Sequence, residues 1–167
     1  MSALNDLLQT VSVPVLPRAL EETTSISVIG LGYVGAVSCG CLSALGHTVV
    51  GVDLDSAKRA AIESGRSPIH EDGLDSLLTE DIRTERLSVT CDTEAAVAAT
   101  EVTFVSVGTP SREDGTCDLG SVVAVAEAIG RALAKKDRYH SVVLRCSIPP
   151  GTTTGPFLEA LERTSGK

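Results

Sequence analysis

A glycine-rich run near the start of the chain limits the possible folds more than any other feature. It reads Ile26-Ser-Val-Ile-Gly30-Leu-Gly32-Tyr-Val-Gly35, and its first four residues are typical of a short, buried parallel strand. Glycines at this spacing permit a tight turn after the strand, a close backbone approach to a phosphate, and close packing of the following helix. The run therefore predicts a strand, turn and helix whose turn binds the pyrophosphate of a dinucleotide.

The residues after the glycine run complete a βαβ unit. A helix over 34–45 is followed by a second strand over 48–52, which leads to Asp53. An acid about 20 residues after the glycines can bind the hydroxyls of the adenosine ribose. Asp53 would repel a ribose 2′-phosphate, so NAD is favoured over NADP, although the nearby Lys58 and Arg59 leave use of both open. The alternative is a glycine turn that only caps a helix, and the acid at this distance disfavours it.

Strands and helices alternate along the rest of the chain. This alternation predicts parallel strands with right-handed crossovers, and hence an α/β fold with a Rossmann-like, doubly wound parallel sheet in a single domain. We expect residues 1–24 to form a loosely ordered N-terminal extension before an NAD-binding domain over 25–167. The predicted strands are 26–29, 48–52, 87–90, 102–107 and 141–145, and the predicted helices are 34–45, 56–64, 73–80, 93–99, 119–136 and 153–163.

Two loops after predicted strands carry hydroxyl groups. Ligands of doubly wound sheets bind beyond the carboxyl ends of the strands, where the strand order reverses. Thr109 follows the fourth strand and Ser147 follows the fifth, so both can hydrogen-bond a ribose or a nicotinamide amide. Taken alone, each residue is more simply explained as part of a turn or a helix cap.

Composition argues against several classes of partner. The formal net charge is −8 at pH 7, which disfavours binding to nucleic acid or to an anionic membrane. No stretch is long and apolar enough to span a membrane, and residues 1–24 lack a basic leader, so we expect a cytoplasmic protein. The five cysteines form no CxxC pair and fit free thiols in a reducing compartment. The three histidines are dispersed, and no metal is expected.

The assembled motifs resemble one family, the nucleotide-sugar 6-dehydrogenases that act on UDP-glucose or GDP-mannose. The resemblance covers nearly everything from Ile26 to Lys167. The sequence of residues 35–43 is more similar to the GDP-mannose branch than to the UDP-glucose branch. The resemblance rests on Gly30-Leu-Gly-Tyr-Val-Gly-Ala-Val37, Gly46-His47, Gly51-Val-Asp53, Ser67-Pro68-Ile69, Gly73-Leu74, Arg86-Leu87, Val107-Gly-Thr-Pro110, Asp118-Leu119 and Pro150-Gly151-Thr152.

The resemblance implies that NAD is the cofactor and that several loops share its site. Two positions depart from the family pattern: Cys146 replaces a serine in the family's Arg-Ser-Thr, and Asp72 replaces a proline after Glu71. Neither change need abolish binding. The implied cofactor-binding residues are Gly30, Gly32, Tyr33, Val34 and Gly35 at the pyrophosphate, Asp53 and Lys58 on the adenosine side, and Thr109 and Ser147 on the nicotinamide side.

The family's catalytic residues have no counterpart in this chain. Its members oxidise a primary alcohol twice through a thiohemiacetal on a cysteine, passing two hydrides to NAD. The resemblance implies that this cysteine, with its partner glutamate, lysine and asparagine, would follow Lys167. Cys146 is not expected to replace it, because the only cation close in sequence is Arg145, which cannot act as a base.

We therefore expect a monomer that is inactive alone. The nucleotide sugar would bind only together with a missing catalytic domain, which a complementary catalytic chain could supply. Two alternatives remain open: a stand-alone NAD-binding module that does no chemistry, and the product of a truncated gene.

Overall fold

A five-stranded parallel sheet forms the centre of the fold. The computed structural model describes residues 23–167. The strands are β1 (Ser25–Ile29), β2 (Thr48–Val52), β3 (Leu87–Thr90), β4 (Val102–Val105) and β5 (Ser141–Leu144). The helices are α1 (Tyr33–Ala44), α2 (Ser56–Glu63), α3 (Leu74–Arg83), α4 (Thr93–Ala99), α5 (Gly120–Ala134) and α6 (Leu158–Ser165), with a π-helical segment over Thr153–Phe157 before α6.

The strand order reverses at the centre of the sheet. The order is β3-β2-β1-β4-β5, so the chain builds outward from β1 on one side and then returns to its other side. Ile29 is in register with Val52 and with Val105, which brings the carboxyl ends of β1, β2 and β4 to one level. The predicted doubly wound α/β class is confirmed, and its switch point lies between β1 and β4.

Helices cover both faces of the sheet and bury two aliphatic cores. Successive residues of a strand point to opposite faces, so Val28 joins the core under α1 and α3 while Ile29 joins the core under α4, α5 and α6. Small residues bring α5 and α6 close together: a Cβ at Gly130 would lie 1.9 Å from Thr164 Oγ1. Phe157 is the one aromatic residue among the buried core residues of the described chain.

A hydrogen-bonded polar network crosses the sheet away from the carboxyl ends of the strands. The Lys136 ammonium contacts the carbonyl oxygens of Val97 and Thr100 and lies 3.0 Å from His140 Nδ1. His140 Nε2 lies 2.8 Å from Thr103 Oγ1, which lies 2.6 Å from the hydroxyl of the buried Ser27. All three ammonium protons are used if His140 is neutral and carries its proton on Nε2. Burial and the adjacent Lys136 lower the pKa of His140 and outweigh the Thr100 carbonyl oxygen, which lies 3.0 Å from Nδ1 and raises it, so the neutral ring is favoured.

Several element boundaries differ from the sequence-based expectation; α3, for example, continues to Arg83 rather than ending at residue 80. The predicted helix 153–163 is wrong at its start, because Gly155 has φ −106° and ψ −112°, and Pro156 has no N–H to donate. Strand β4 ends at Val105 rather than at residue 107. Beyond Val105 the backbone of residues 106 and 107 packs against Gly30 of the glycine turn. The predicted N-terminal extension lies, over residues 1–22, outside the described residues.

Candidate cofactor-binding site

Gly30 and Gly35 build a turn that side chains would obstruct. Gly30 has φ +94°, in the region that favours glycine, and a Cβ there would lie 2.7 Å from the carbonyl oxygen of Ser106. A Cβ at Gly35 would lie 1.8 Å from the carbonyl oxygen of Gly30. The turn and the first turn of α1 are therefore in direct backbone contact, and the side chain of Leu31 between them is fully buried.

The N-terminus of α1 is open toward the crevice. Its N-cap residue is Gly32, which offers no side chain to cap the helix, and the first turn contains no acidic residue. A Cβ at Gly32 would meet nothing within 4 Å. Uncapped N–H groups and the positive end of a helix dipole form an anion site. The geometry therefore fits a pyrophosphate at Gly32, Tyr33 and Val34.

Asp53 joins the end of β2 to the glycine turn. Its Oδ2 accepts a hydrogen bond from the N–H of Leu31 at 2.7 Å and lies 3.2 Å from Lys58 Nζ, while Oδ1 accepts from the N–H of Asp55 at 2.9 Å. Burial raises the pKa of Asp53, but the hydrogen bonds from Asp55 and Leu31 and the Lys58 ammonium outweigh burial and hold it below its usual value. The carboxylate is thus ionised and fixed in orientation at neutral pH.

A first cavity of about 450 Å³ extends from Asp53 and Lys58 toward α4 and α5. Its walls are largely apolar, and Leu54, the residue after Asp53, is 85% exposed beside it. Small residues on one face of α5 keep the cavity open. Its further lining residues are Ile29, Val52, Thr93, Val107, Gly108, Ser121, Ala124, Val125 and Ala128. A planar apolar group beside a ribose fits this space.

A second cavity of about 530 Å³ lies on the other side of the glycine turn. Thr109 and Ser147 meet there, because the Thr109 hydroxyl donates to the carbonyl oxygen of Ser147 at 2.9 Å. The other lining residues are Gly32, Tyr33, Val34, Ser106, Val107, Gly108, Arg145 and Cys146. The Ser106 hydroxyl is buried and has no partner among the described residues, so a ligand in this cavity could satisfy it.

Tyr33 connects the glycine turn to the loop between α2 and α3. It is 58% exposed, and its hydroxyl donates to the carboxylate of Glu71. The hydrogen bond to Glu71, together with partial desolvation and the charge of that carboxylate, raises the pKa of Tyr33. The phenol is therefore neutral, and the loop that contains Glu71 borders the crevice.

Cys146 has the properties of a structural thiol. It follows β5, and its Sγ lies 3.3 Å from the carbonyl oxygen of Val105. Burial raises the pKa of Cys146, so the thiol is protonated at neutral pH and is a poor nucleophile.

The nine predicted site residues converge on one edge of the sheet. Asp53 and Lys58 line the first cavity, five of the others line the second, and Gly30 and Gly35 shape the turn between the two cavities. Sequence reasoning missed Leu54, Ser106 and Arg145 as lining residues. A leucine directly after the strand-ending acid was a usable signal for Leu54, and the Arg-Cys-Ser run after the fifth strand was one for Arg145, whereas nothing local marked Ser106.

Comparison with known proteins assigns this geometry to a family. The profile described as "UDP-glucose/GDP-mannose dehydrogenase family, NAD binding domain" matches residues 24–167. The chain belongs to this family. The matching region is its NAD-binding domain, so the predicted resemblance and the predicted cofactor, NAD, are both confirmed.

Individual family members are similar over the same region. A GDP-mannose 6-dehydrogenase from Pseudomonas aeruginosa is 48% identical over 142 residues, which are 85% of this chain and 33% of that protein. A UDP-glucose 6-dehydrogenase from Haloferax volcanii is 40% identical over 142 residues, again 85% of this chain and 33% of that protein. The chain spans about a third of the length of these curated relatives.

Solved structures of the family share the fold. A crystal structure of a ternary complex of GDP-mannose dehydrogenase from Pseudomonas aeruginosa superposes with a TM-score of 0.84 at 48% sequence identity. The superposition covers 85% of this chain and 33% of that chain.

None of the described helices is both long enough and apolar enough to cross a membrane. No group of three or more His, Cys, Asp or Glu side chains among residues 23–167 is arranged to hold a metal ion.

Proposed function

We propose that residues 25–167 act as the NAD-binding domain of a nucleotide-sugar 6-dehydrogenase and that the nine predicted residues bind the cofactor. The observation that carries this proposal is the 2.7 Å hydrogen bond from the Leu31 N–H to Asp53. It sets the carboxylate directly beside the uncapped N-terminus of α1, so the ribose and pyrophosphate positions of one dinucleotide are adjacent.

Each part of the site has a role in this proposal. The N–H groups at Gly32, Tyr33 and Val34 bind the pyrophosphate, and Gly30 and Gly35 allow its close approach. Asp53 accepts hydrogen bonds from the adenosine ribose, assisted by Lys58, and the apolar cavity beyond Leu54 accommodates adenine. Bound NAD supplies the hydride acceptor for oxidation of an alcohol.

The nicotinamide half of the cofactor belongs, in this proposal, to the second cavity. Thr109 and Ser147 lie at the carboxyl ends of β4 and β5, on the opposite side of the glycine turn from Asp53. The Thr109 hydroxyl donates its proton to the Ser147 carbonyl, so toward a ligand it acts as an acceptor. The Ser147 hydroxyl can donate or accept.

Charge at Asp53 favours NAD over NADP. The carboxylate is ionised because its pKa is lowered, and its negative charge would repel a ribose 2′-phosphate. The two nearby cations are engaged: Lys58 pairs with the carboxylate, and Arg59 Nη1 donates to the carbonyl oxygen of Asp53 at 2.6 Å.

Calorimetric titration tests the cofactor assignment. We expect saturable binding of NAD and NADH to the purified chain and much weaker binding of NADP. A chain that is folded by circular dichroism but binds neither NAD nor NADH would overturn the proposal.

The wider reaction is also a proposal. By analogy with its relatives, the parent activity is oxidation of GDP-mannose or UDP-glucose to the uronic acid in the cytoplasm, with catalytic groups outside the matched region. The isolated chain is then a monomer that produces no NADH from either nucleotide sugar. Adding the remaining two thirds of a relative as a separate, complementary polypeptide tests this directly by absorbance of NADH. Turnover by the chain alone would contradict the proposal, and binding without turnover in the mixture would favour a stand-alone NAD-binding module.

A further inference from the structure

A cationic side chain lines the cavity on the nicotinamide side of the crevice. Arg145 follows β5, and the cavity that it lines also contains Tyr33, Val34, Thr109 and Ser147. A dinucleotide whose adenosine ribose lies at Asp53 and whose pyrophosphate lies at the N-terminus of α1 must extend its second half into this cavity.

Helix α1 fixes the guanidinium in the crevice. Arg145 Nη1 donates to Ser38 Oγ at 2.7 Å, across 107 residues of sequence. The single proton of the Ser38 hydroxyl goes to the carbonyl oxygen of Val34 at 2.6 Å, so Ser38 is an acceptor toward Arg145. The contact bridges the end of β5 and the second turn of α1, and it holds the positive charge beside the cavity.

This charge is not neutralised by a carboxylate. Among residues 23–167, the ion pairs involve Lys58, Lys135 and four arginines other than Arg145. The other side chains that line the cavity are uncharged: burial keeps the Cys146 thiol protonated, and the phenol of Tyr33 is neutral. Glu71 is outside the lining, where its carboxylate accepts the hydrogen bond from Tyr33.

We propose that Arg145 sets the redox-state preference of the site, so that the chain binds NADH more tightly than NAD⁺. This inference rests on the proposed function. The two cofactor forms share adenine, both riboses and the pyrophosphate, and they differ in the ring: the nicotinamide of NAD⁺ carries a positive charge, and the dihydronicotinamide of NADH is neutral. Attraction of Arg145 to the pyrophosphate is therefore common to both forms, whereas its repulsion acts only on the oxidised ring.

The preference has a chemical consequence. NAD⁺ becomes NADH by accepting a hydride, that is, two electrons and one proton. If the site binds NADH more tightly, linkage makes bound NAD⁺ a stronger hydride acceptor than free NAD⁺. For a two-electron couple, a tenfold ratio of dissociation constants corresponds to about 30 mV.

Calorimetric titration of the whole 167-residue chain with NAD⁺ and with NADH tests the proposal. We expect NADH to bind about five- to tenfold more tightly than NAD⁺. This is the size expected for a solvent-screened repulsion between the Arg145 guanidinium and the oxidised nicotinamide near the protein surface. Arg145→Gln should bring the two dissociation constants to within about twofold, and Arg145→Lys should keep most of the preference because it keeps the charge. Arg138→Gln is the matched control: it removes one exposed arginine near the opposite ends of the strands and should leave the ratio unchanged.

Salt dependence separates a charge effect from a structural one without any substitution. Raising the ionic strength from about 0.05 M to about 0.5 M shortens the Debye length severalfold and should lower the wild-type ratio. Equal wild-type affinities for the two forms, or an unchanged ratio in a folded Arg145→Gln chain, would overturn the role of Arg145 while leaving NAD binding intact. Absence of saturable binding of either form would instead overturn the proposed function together with this inference.

Discussion

Asp53 holds the glycine turn through the N–H of Leu31, with 2.7 Å between that nitrogen and Oδ2. The acid that is expected to bind the ribose therefore also stabilises the backbone that is expected to bind the pyrophosphate. Because the two halves of the site share one carboxylate, a change at Asp53 should alter both affinity and cofactor choice.

Asp53→Ser should weaken NAD binding by about 1.5–3 kcal/mol, roughly tenfold or more, because charge-assisted hydrogen bonds are lost. NADP should lose less affinity, or gain some, since the repulsion of its 2′-phosphate disappears while Lys58 and Arg59 remain. Titration of both cofactors gives the ratio. Glu63→Gln, an equal charge change on the exposed surface of α2, should leave that ratio as it is; a wild-type ratio in Asp53→Ser would contradict the assignment.

Alanine at Gly35 should reduce stability, whereas alanine at Gly32 should reduce cofactor binding. A Cβ at Gly35 would lie 1.8 Å from the Gly30 carbonyl oxygen, so Gly35→Ala should lower the free energy of unfolding by about 3 kcal/mol or more. Gly32 has φ −76° and open space around it, so Gly32→Ala should unfold close to the wild-type temperature but bind NAD more weakly. Thermal unfolding and titration of both variants measure the two effects, and a stable Gly35→Ala chain would refute the close contact.

The His140 network should make stability fall on the acid side of neutrality. The folded-state pKa of His140 lies below the usual 6.5, so the unfolded chain takes up the proton first. The contribution of neutral His140 to the free energy of unfolding is therefore complete above about pH 6.5. It is lost as the pH falls from about 6.5 through the lowered pKa of the folded state. Urea unfolding between about pH 5 and pH 7.5 measures the slope.

Two histidine variants identify the source of that slope. His140→Gln keeps a donor for Thr103 and cannot be protonated, so its stability should depend less on pH than that of the wild type. His70→Gln changes an exposed histidine and should reproduce the wild-type curve. The same slope in His140→Gln and the wild type would exclude His140 as its source.

Ser43 joins α1 to α3 by a buried hydrogen bond. Its Oγ lies 2.7 Å from Asp81 Oδ2, and both side chains are almost fully buried. Ser43→Ala should lower the free energy of unfolding by about 1–3 kcal/mol, because it removes a buried hydroxyl that lies within hydrogen-bonding distance of both Asp81 Oδ2 and the Cys39 carbonyl oxygen. The exposed Ser64→Ala should change it by less than about 0.5 kcal/mol. Denaturant unfolding at neutral pH compares them, and equal losses would contradict the importance of burial.

Features that depend on local backbone chemistry could be predicted from the sequence. The glycine spacing fixes the turn because few other residues fit Gly30 and Gly35, and the alternation of strands and helices fixes the α/β class. The position of Asp53 also followed, since the end of β2 must lie beside the end of β1 in a parallel sheet.

Features that depend on contacts between residues distant in sequence could not be predicted in this way. Arg145 meets Ser38 across 107 residues, and nothing near either residue signals the other. The late start of α6 was missed for a different reason, because the signal was local and was not weighed: Gly155 and Pro156 lie inside the predicted helix, and the non-helical backbone of Gly155 and the missing N–H of Pro156 delay its start.

The bond between Thr109 and Ser147 has an unequal effect on how these two positions can vary. Thr109 contributes its side chain, whereas Ser147 contributes only a carbonyl oxygen that every amino acid possesses. Replacement of residue 147 can therefore change what the crevice offers a ligand without releasing the loop after β4. Replacement of Thr109 by a residue without a hydroxyl also removes the hydrogen bond that joins that loop to the loop after β5. Cofactor contacts can thus be tuned at position 147 by single substitutions, while position 109 is open only to changes that keep the hydroxyl.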